Sequence, residues 1–302
     1  MGRLKNPNKI KKSTSDRVLQ WIVMSFLVVF LIIILYPLIY IVSSSFSSGQ
    51  AVTSGKVLLW PVDFSLDGYE IVFDYETVWT GYANTIFYTV VGTLMNVTAT
   101  ILAAYPLSRR NFQGRGFYAT LFLIPMFFGG GLIPTYLLVS SLGLTNTRII
   151  ILLLGLVGTY NVVIMRTFFR NSVPGELWDS ARIDGTSDFG YLTKILLPLS
   201  KPVIAVVSLY YAVGHWNSFF KEMIYLRDRD MYPLQLILRE ILNATTVDAS
   251  QMGSAEELAA MVGATDVMKF ALIVVSTVPI MLLYPFIQRF FEKGVMLGSL
   301  KG

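Results

Sequence analysis

The chain has 302 residues, 54% of them hydrophobic and only 14% charged, with a mean hydropathy of +0.60. A soluble domain carries about 25% charged residues, so the composition is that of a polytopic membrane protein. The formal net charge is +5, but the positive residues stand beside the hydrophobic runs rather than on one soluble face, which argues against nucleic-acid binding. There is no cysteine, and so no disulfide, thiol chemistry or thiolate metal site.

In chain order, residues 1–17 carry Arg3, Lys5, Lys9, Lys11, Lys12 and Arg17 against one acid, Asp16. The apolar run 21–42 is too long for the core of a signal peptide and ends in no small-x-small cleavage site. It is long enough to cross a bilayer, and we expect a retained first helix, bent at Pro37. Residues 43–81 are polar, with Asp63, Asp67, Glu70, Asp74 and Glu76 against Lys56. A second span is expected at 82–104, followed at once by Arg109, Arg110 and Arg115. The third, 117–139, is interrupted by Pro125, Gly129–Gly131 and Pro134. A short turn leads to a fourth span at 148–165, and Arg166, Arg170, Arg182, Lys194 and Lys201 surround the next loop. The fifth span is 202–220 and the sixth 268–287, before a tail with Arg289, Lys293 and Lys301. The loop between them, 221–266, is too long for a simple turn. Within it, 233–242 reads as a helix lying at the outer interface, and 243–261 is softer.

Lys and Arg concentrate in alternate loops, and the acids in the others. By the positive-inside rule this is an all-α fold with six spans and both termini cytoplasmic. The organisation is then a basic N-tail (1–20), a six-span domain (21–292) and a cytoplasmic C-tail (293–302).

The segment 171–202, NSVPGELWDSARIDGTSDFGYLTKILLPLSKP, reads as two short helices hinged at a glycine. Pro174 suits a first helical turn, where its missing N–H has no partner to lose. Glu176 and Asp179 follow at the N-terminus, where the helix dipole favours acids. Gly185 can take the left-handed conformation that ends a helix. Thr186 or Ser187 can cap the next one, and Leu197-Pro198 is expected to close it. Leu177 and Ala181, four apart, share a face, while Arg182 and Asp184 add polar contacts. Such a helix pair is shaped to fill a cleft in a partner; the plainer alternative is an amphipathic loop lying on the membrane.

No Asp, Glu, Lys or Arg lies deep in an expected span, although ion-driven carriers commonly need them there. No GxxxxGK[ST] phosphate loop occurs, and the Gly129–Gly131 triplet lacks the lysine that would follow. There is no catalytic set and no metal-ligand spacing, so no cofactor is expected in this chain. Uphill transport would need energy from another chain. The polar or breakable points available to a solute path are Asn84, Asn96, Tyr160, Asn161, His215, Trp216, Asn217, Ser218 and the 129–134 break. Broken helices are tolerated at membrane depth where they line a cavity or are buried in protein. Trp and Tyr stack on sugar rings while Asn and Ser bond hydroxyls. The same residue types also serve helix packing. Trp216 could instead be an interfacial anchor, and His215 a packed histidine.

The run Asp179-Ser180-Ala181, three residues, Gly185, then Ile195-Leu196-Leu197-Pro198 resembles the EAA loop of ABC importer permeases, with Asp for Glu and Ser for the first Ala. Asn84-Thr85, Ala104-Tyr105-Pro106-Leu107-Ser108-Arg109, Trp216-Asn217 and the closing 293–302 are similar to maltose-type carbohydrate ABC importers. Phe128-Gly129-Gly130-Gly131-Leu132-Ile133-Pro134 and the terminal KGVMLGSLKG resemble a subgroup of aldouronate and complex-oligosaccharide permeases. The resemblance implies a multi-pass subunit of the bacterial cytoplasmic membrane that pairs with a second permease. It implies an ABC ATPase dimer that uses ATP and Mg, and an extracytoplasmic sugar-binding protein that delivers an oligosaccharide. It casts Glu176, Asp179, Ser180, Ala181, Arg182, Asp184, Gly185 and Pro198 as the surface that docks on the ATPase. It also casts 221–266 as the loop that reaches the binding protein, and the C-tail as a further ATPase contact. The competing class is an ATPase-independent facilitator or carrier.

Overall fold

The structure is a computed structural model that describes residues 13–244 and 262–282. The first twelve residues, the 245–261 stretch of the long loop and the closing tail lie outside the described residues. Among the described residues the regular elements are helices, with one isolated antiparallel bridge between Ser47 and Phe64. They are α1 (Thr14–Ser45), α2 (Gly49–Thr53), α3 (Asp67–Asp74), α4 (Glu76–Ser108), α5 (Arg115–Phe127), α6 (Leu132–Ser141), α7 (Arg148–Leu153) and α8 (Thr159–Asn171). Then come α9 (Glu176–Ile183), α10 (Asp188–Leu199), α11 (Lys201–Trp216), α12 (Phe220–Tyr225), α13 (Leu234–Ala244) and α14 (Val262–Leu282).

By length and composition, α1, α4 and α14 can each cross a membrane. Among the described residues the count rises to five if two bent pairs are single spans: α5 with α6, bent by 113°, and α10 with α11, bent by 83°. Pro125 and the three glycines account for the first bend. The segment expected as a continuous fourth span is not one helix: α7 ends at Leu153 and α8 begins at Thr159.

The described residues divide into two compact units, 13–71 with 262–274, and 72–244 with 275–282. In the first, α1 begins at Ser13, whose N–H bonds the Asp16 carboxylate at 3.1 Å, an N-terminal cap that satisfies one orphan donor. From Val18 to Ile39 the large apolar side chains of α1 are 41–73% exposed. An apolar surface of that kind is satisfied by lipid or by another chain. The α1 C-terminus is anchored instead. The Ser43 hydroxyl donates to the Leu59 carbonyl, Phe46 stacks between Phe64 and Tyr69, and Tyr40 meets Phe270 edge-on.

In the second unit α4 is the central element. Its residues Val97, Ala104 and Leu107 form one core with Val162, Met165 and Phe169 of α8, and Val203, Val207 and Tyr211 of α11. Ala181, Tyr191, Leu192 and Leu196 join that core, so the hinged segment is packed into the bundle rather than laid upon it. The helix expected at the outer interface forms as α13, but Leu234, Leu236 and Ile237 are buried. It closes against α4, where the Leu234 N–H bonds the Thr85 hydroxyl at 2.8 Å. A strongly one-sided apolar face is what allows that docking.

Candidate functional site

The 171–202 segment folds as two helices with a left-handed hinge. α9 starts behind Pro174-Gly175, whose carbonyls take the N–H groups of Leu177 and Trp178. It ends at Asp184, and Gly185 has φ +72°. The Thr186 N–H returns to the Ala181 carbonyl at 2.8 Å, a helix-ending turn that relies on a residue free of a Cβ penalty. Ser187 then caps α10 by accepting from the Gly190 N–H.

Two expectations change here. The chain does not close at Leu197-Pro198: α10 runs on to Leu199. Residues Leu192–Leu196 form a π-helical turn in which the Leu197 N–H reaches back to the Leu192 carbonyl. In a regular α-helix the Pro198 ring would collide with the carbonyl four residues earlier, and the wider turn relieves this. The inward face of α9 is also not Leu177 with Ala181. Ala181 is buried, but its neighbour is Trp178, and Leu177 is 38% exposed.

Glu176, Asp179, Ser180, Arg182, Asp184, Gly185 and Pro198 are all exposed. Three large apolar side chains stand out with them: Leu177, Ile183 at 87% and Phe189 at 71% exposure. Trp178 meets Tyr191 edge-on at 4.9 Å, beside a cleft of about 940 Å³ walled by Arg109, Phe112, Arg170 and Asp188 together with Glu176, Asp179 and Arg182 of the exposed set.

The path candidates separate into two groups. Asn84, His215 and Trp216 are buried and bonded. Asn84 donates to the carbonyls of Asp230 (2.7 Å) and Tyr232 (3.0 Å) and accepts from Arg148 (2.9 Å). The Trp216 indole N–H donates to the Ser276 carbonyl at 3.0 Å. Tyr160, 60% exposed, and Asn217 are open. Asn161 is buried beside the 154–158 break, on the first turn of α8.

That break is held by side chains from distant helices. Gly155 has φ +80°, and the carbonyls of Gly155 and Leu156 both accept from the Asn96 amide, at 3.0 and 2.7 Å. The Gly158 N–H donates to the Tyr211 hydroxyl, which also bonds Thr100. With both donors of Asn96 directed to carbonyls, its oxygen faces His215 Nε2 at 2.6 Å. That oxygen can only accept, so Nε2 carries the proton and donates. Three of the backbone groups exposed by breaking the helix are thereby satisfied.

Sequence reading noted Asn96 as a polar point but not as the residue that holds the break. The spacing of Gly92, Asn96 and Thr100, four apart on one face of α4, is the signal that could have found it. Gly92 lies under the imidazole: a Cβ there would be 2.5 Å from His215 Nε2. Gly92→Ala is expected to lower stability by about 1–3 kcal/mol, the usual cost of overpacking, seen as a lower melting temperature of the purified protein.

Sequence reading also missed a charged pair beside the end of α11. Lys221 donates to the Ile151 carbonyl at 3.0 Å, and Glu222, 1% exposed, accepts from Ser218 at 2.8 Å. Burial pushes the Glu222 carboxyl up and the Lys221 ammonium down from their ordinary ranges.

Residues 8–297 match the family described as "Binding-protein-dependent transport system inner membrane component". The chain is 39% identical over 290 residues to the polygalacturonan/rhamnogalacturonan transport system permease protein YtcP of Bacillus subtilis, covering 95% of this chain and 99% of that one. It is 40% identical over 275 residues to protein LplC of the same organism, covering 89% and 90%. A chain in the crystal structure of a bacterial ABC transporter involved in the import of the acidic polysaccharide alginate superposes with a TM-score of 0.84 at 34% identity. That match covers 94% of this chain and 100% of the other.

Proposed function

Because the chain belongs to the family of binding-protein-dependent transport system inner membrane components, we propose that it forms, with a second permease, the path for an oligosaccharide delivered by an extracytoplasmic binding protein. Two ABC ATPase subunits, which hold the ATP and Mg, drive it through the 171–202 segment. The chain is then a six-span subunit of the bacterial cytoplasmic membrane with both termini inside. The broken 148–171 region, the bent α5–α6 pair and α11 fill three of those spans.

The observation that carries this reading is the hinged α9–α10 pair. Its inner side is locked into the bundle core while Leu177, Ile183 and Phe189 stand exposed among acids and Arg182. Exposed large apolar side chains among charged ones fit a protein groove better than water. Relatives named for polygalacturonan/rhamnogalacturonan and alginate make uronate-containing oligosaccharides the first substrates to try. Tyr160 and Asn217 are the side chains best placed to meet them.

The test is purification of the tagged chain from native membranes in mild detergent. An ATPase and a second permease of similar size are expected to accompany it. Ile183→Asp should reduce the recovered ATPase at least about 10-fold, as loss of a buried apolar anchor does at an interface, and leave the second permease in place. A lone chain or a homo-oligomer, from membranes shown to hold intact complexes, would favour the ATPase-independent facilitator.

A further inference from the structure

We propose that Arg109 is a positioning residue that locks the angle of the Gly185 hinge and ties both hinge helices to the end of α4. The proposal rests on the reading of α9–α10 as the element that couples an ATPase to the bundle. Such an element must be stiff to deliver a displacement. The backbone alone does not make it so. Gly185 sits in open space, with nothing within 4 Å of where a Cβ would be, and the turn around it is closed by the Gly185 and Thr186 N–H bonds back to Arg182 and Ala181.

The stiffness comes from the side-chain box on the inner side. The Arg109 guanidinium lies over the Trp178 ring of α9 at 3.7 Å, over the Tyr191 ring of α10 at 4.9 Å and over Tyr105 of α4 at 5.8 Å. One cation therefore touches rings from both sides of the hinge and from the helix that leads into the bundle. Trp178 and Tyr191 also meet each other edge-on. The Tyr105 hydroxyl donates to the Asp188 carbonyl at 3.2 Å, at the start of α10, and faces the Asp188 carboxylate at 3.4 Å. Among the described residues the ion pairs involve Lys221, Arg229 and Lys269, so the ring contacts, rather than a salt bridge, define where the Arg109 guanidinium sits.

The residue type fits that task. A guanidinium is planar and weakly hydrated and stacks on aromatic faces, whereas an ammonium is a compact, strongly hydrated point charge. Arg109 is also the C-cap of α4, its N–H bonded to the Pro106 carbonyl, and its extended backbone (φ −78°, ψ 135°) turns the chain out of the helix. The lever to α4 is thus short. From there Ala104 and Leu107 pack with Phe169 and Leu196, and Arg166 Nε holds the Leu107 carbonyl at 3.1 Å. A cation at a helix C-terminus is favoured by the dipole in any case, and lysine would satisfy that bland role equally well. This difference makes the proposal testable.

The whole complex is reconstituted in proteoliposomes with its binding protein and oligosaccharide, and uptake is measured per ATP hydrolysed. Arg109→Lys, Arg109→Met and Trp178→Leu should each lower that ratio about 5-fold or more, with ATPase still co-purifying at wild-type level. The double variant Arg109→Met with Trp178→Leu should be no worse than the worse single, because both remove one contact. A wild-type ratio in Arg109→Lys would reduce Arg109 to a helix cap. Loss of the ATPase from that variant would make it a docking residue. Multiplying effects in the double variant would separate it from Trp178. Any of these overturns the proposal.

The hinge itself is read independently. The chain contains no native cysteine, so spin labels at Leu177→Cys and Lys194→Cys report the distance across Gly185 in the purified permease. A narrow distribution is expected in the wild type and a broadened one in Arg109→Met. An unchanged distribution overturns the clamp whatever the ATPase does. A wild-type preparation without ATPase, but with the broadening, would instead sink the coupling reading and leave the clamp standing.

Discussion

Replacing Asn96 by leucine is expected to destabilise the permease by about 2–5 kcal/mol, the largest stability loss we anticipate from a single polar side chain. Asn96 is 1% exposed and serves three partners: the carbonyls of Gly155 and Leu156, and His215 Nε2. Leucine fills the volume but leaves three polar groups without this partner, the buried His215 ring nitrogen and two partly buried carbonyls, and a fully buried group left unpaired costs roughly 1–3 kcal/mol. Hydrogen bonds between membrane helices are individually weaker than that argument alone implies, which sets the lower end of the range. Thermal unfolding of the detergent-purified protein is the measurement. Thr98→Val is the control, two residues along on the same helix, exposed, and bonded only within its own turn at the Leu94 carbonyl. It should stay within about 0.5 kcal/mol of wild type. A loss below about 1 kcal/mol in Asn96→Leu would mean that the break between α7 and α8 draws its partners from water instead.

Gly185→Val is expected to separate ATP hydrolysis from uptake. The reason is conformational rather than steric. At φ +72°, with nothing within 4 Å of the added carbon, valine meets no neighbour, but an L-residue in the left-handed region costs roughly 1–2 kcal/mol and a branched Cβ makes it a genuine outlier. The chain relieves that strain by leaving the left-handed conformation, which swings α10 away from α9. Transport per ATP should fall by about 10-fold or more while the ATPase still hydrolyses ATP in proteoliposomes. Gly185→Asn, which tolerates the same backbone region, should keep most of the uptake. Normal uptake in Gly185→Val would count heavily against a hinge that transmits the stroke.

The hinge and the helix break differ in how far each is legible from residue order alone. The hinge was legible: Pro174, the early acids, Gly185 and Ser187 act within a few residues of themselves, and local chemistry of this kind survives into the folded state. The interior of the pair was not. α9 has apolar residues on several sides, at Leu177, Trp178, Ala181 and Ile183. Spacing cannot choose the buried face among them. Arg109 and Tyr191 chose it by receiving Trp178. Likewise α13 was recognisable as an amphipathic helix, but only Thr85 and the α4 surface decide that it is packed against protein rather than spread on an interface. Among the path candidates, residue type alone could not tell Asn84 and Trp216, which bond backbone carbonyls across the fold, from Tyr160 and Asn217, which are exposed.

Taken by itself, the sequence determined that the chain lives in a membrane, that it is helical, where its charged loops fall, and that a glycine-hinged helix pair stands between the later spans. These follow from composition, run length and short-range backbone preference, all of which are local. The tertiary structure decided where helices fail. The run from Arg148 to Met165 reads as one span because only Gly155, Gly158 and the short Thr159-Tyr160-Asn161 stretch interrupt its apolar residues, and such interruptions do not dictate a break. The break exists because Asn96, 60 residues before Leu156 in the chain, and Tyr211, 53 residues after Gly158, supply the hydrogen bonds that the lost helical turn gives up. In lipid no water would do so, and a partner that distant in sequence is brought there only by folding.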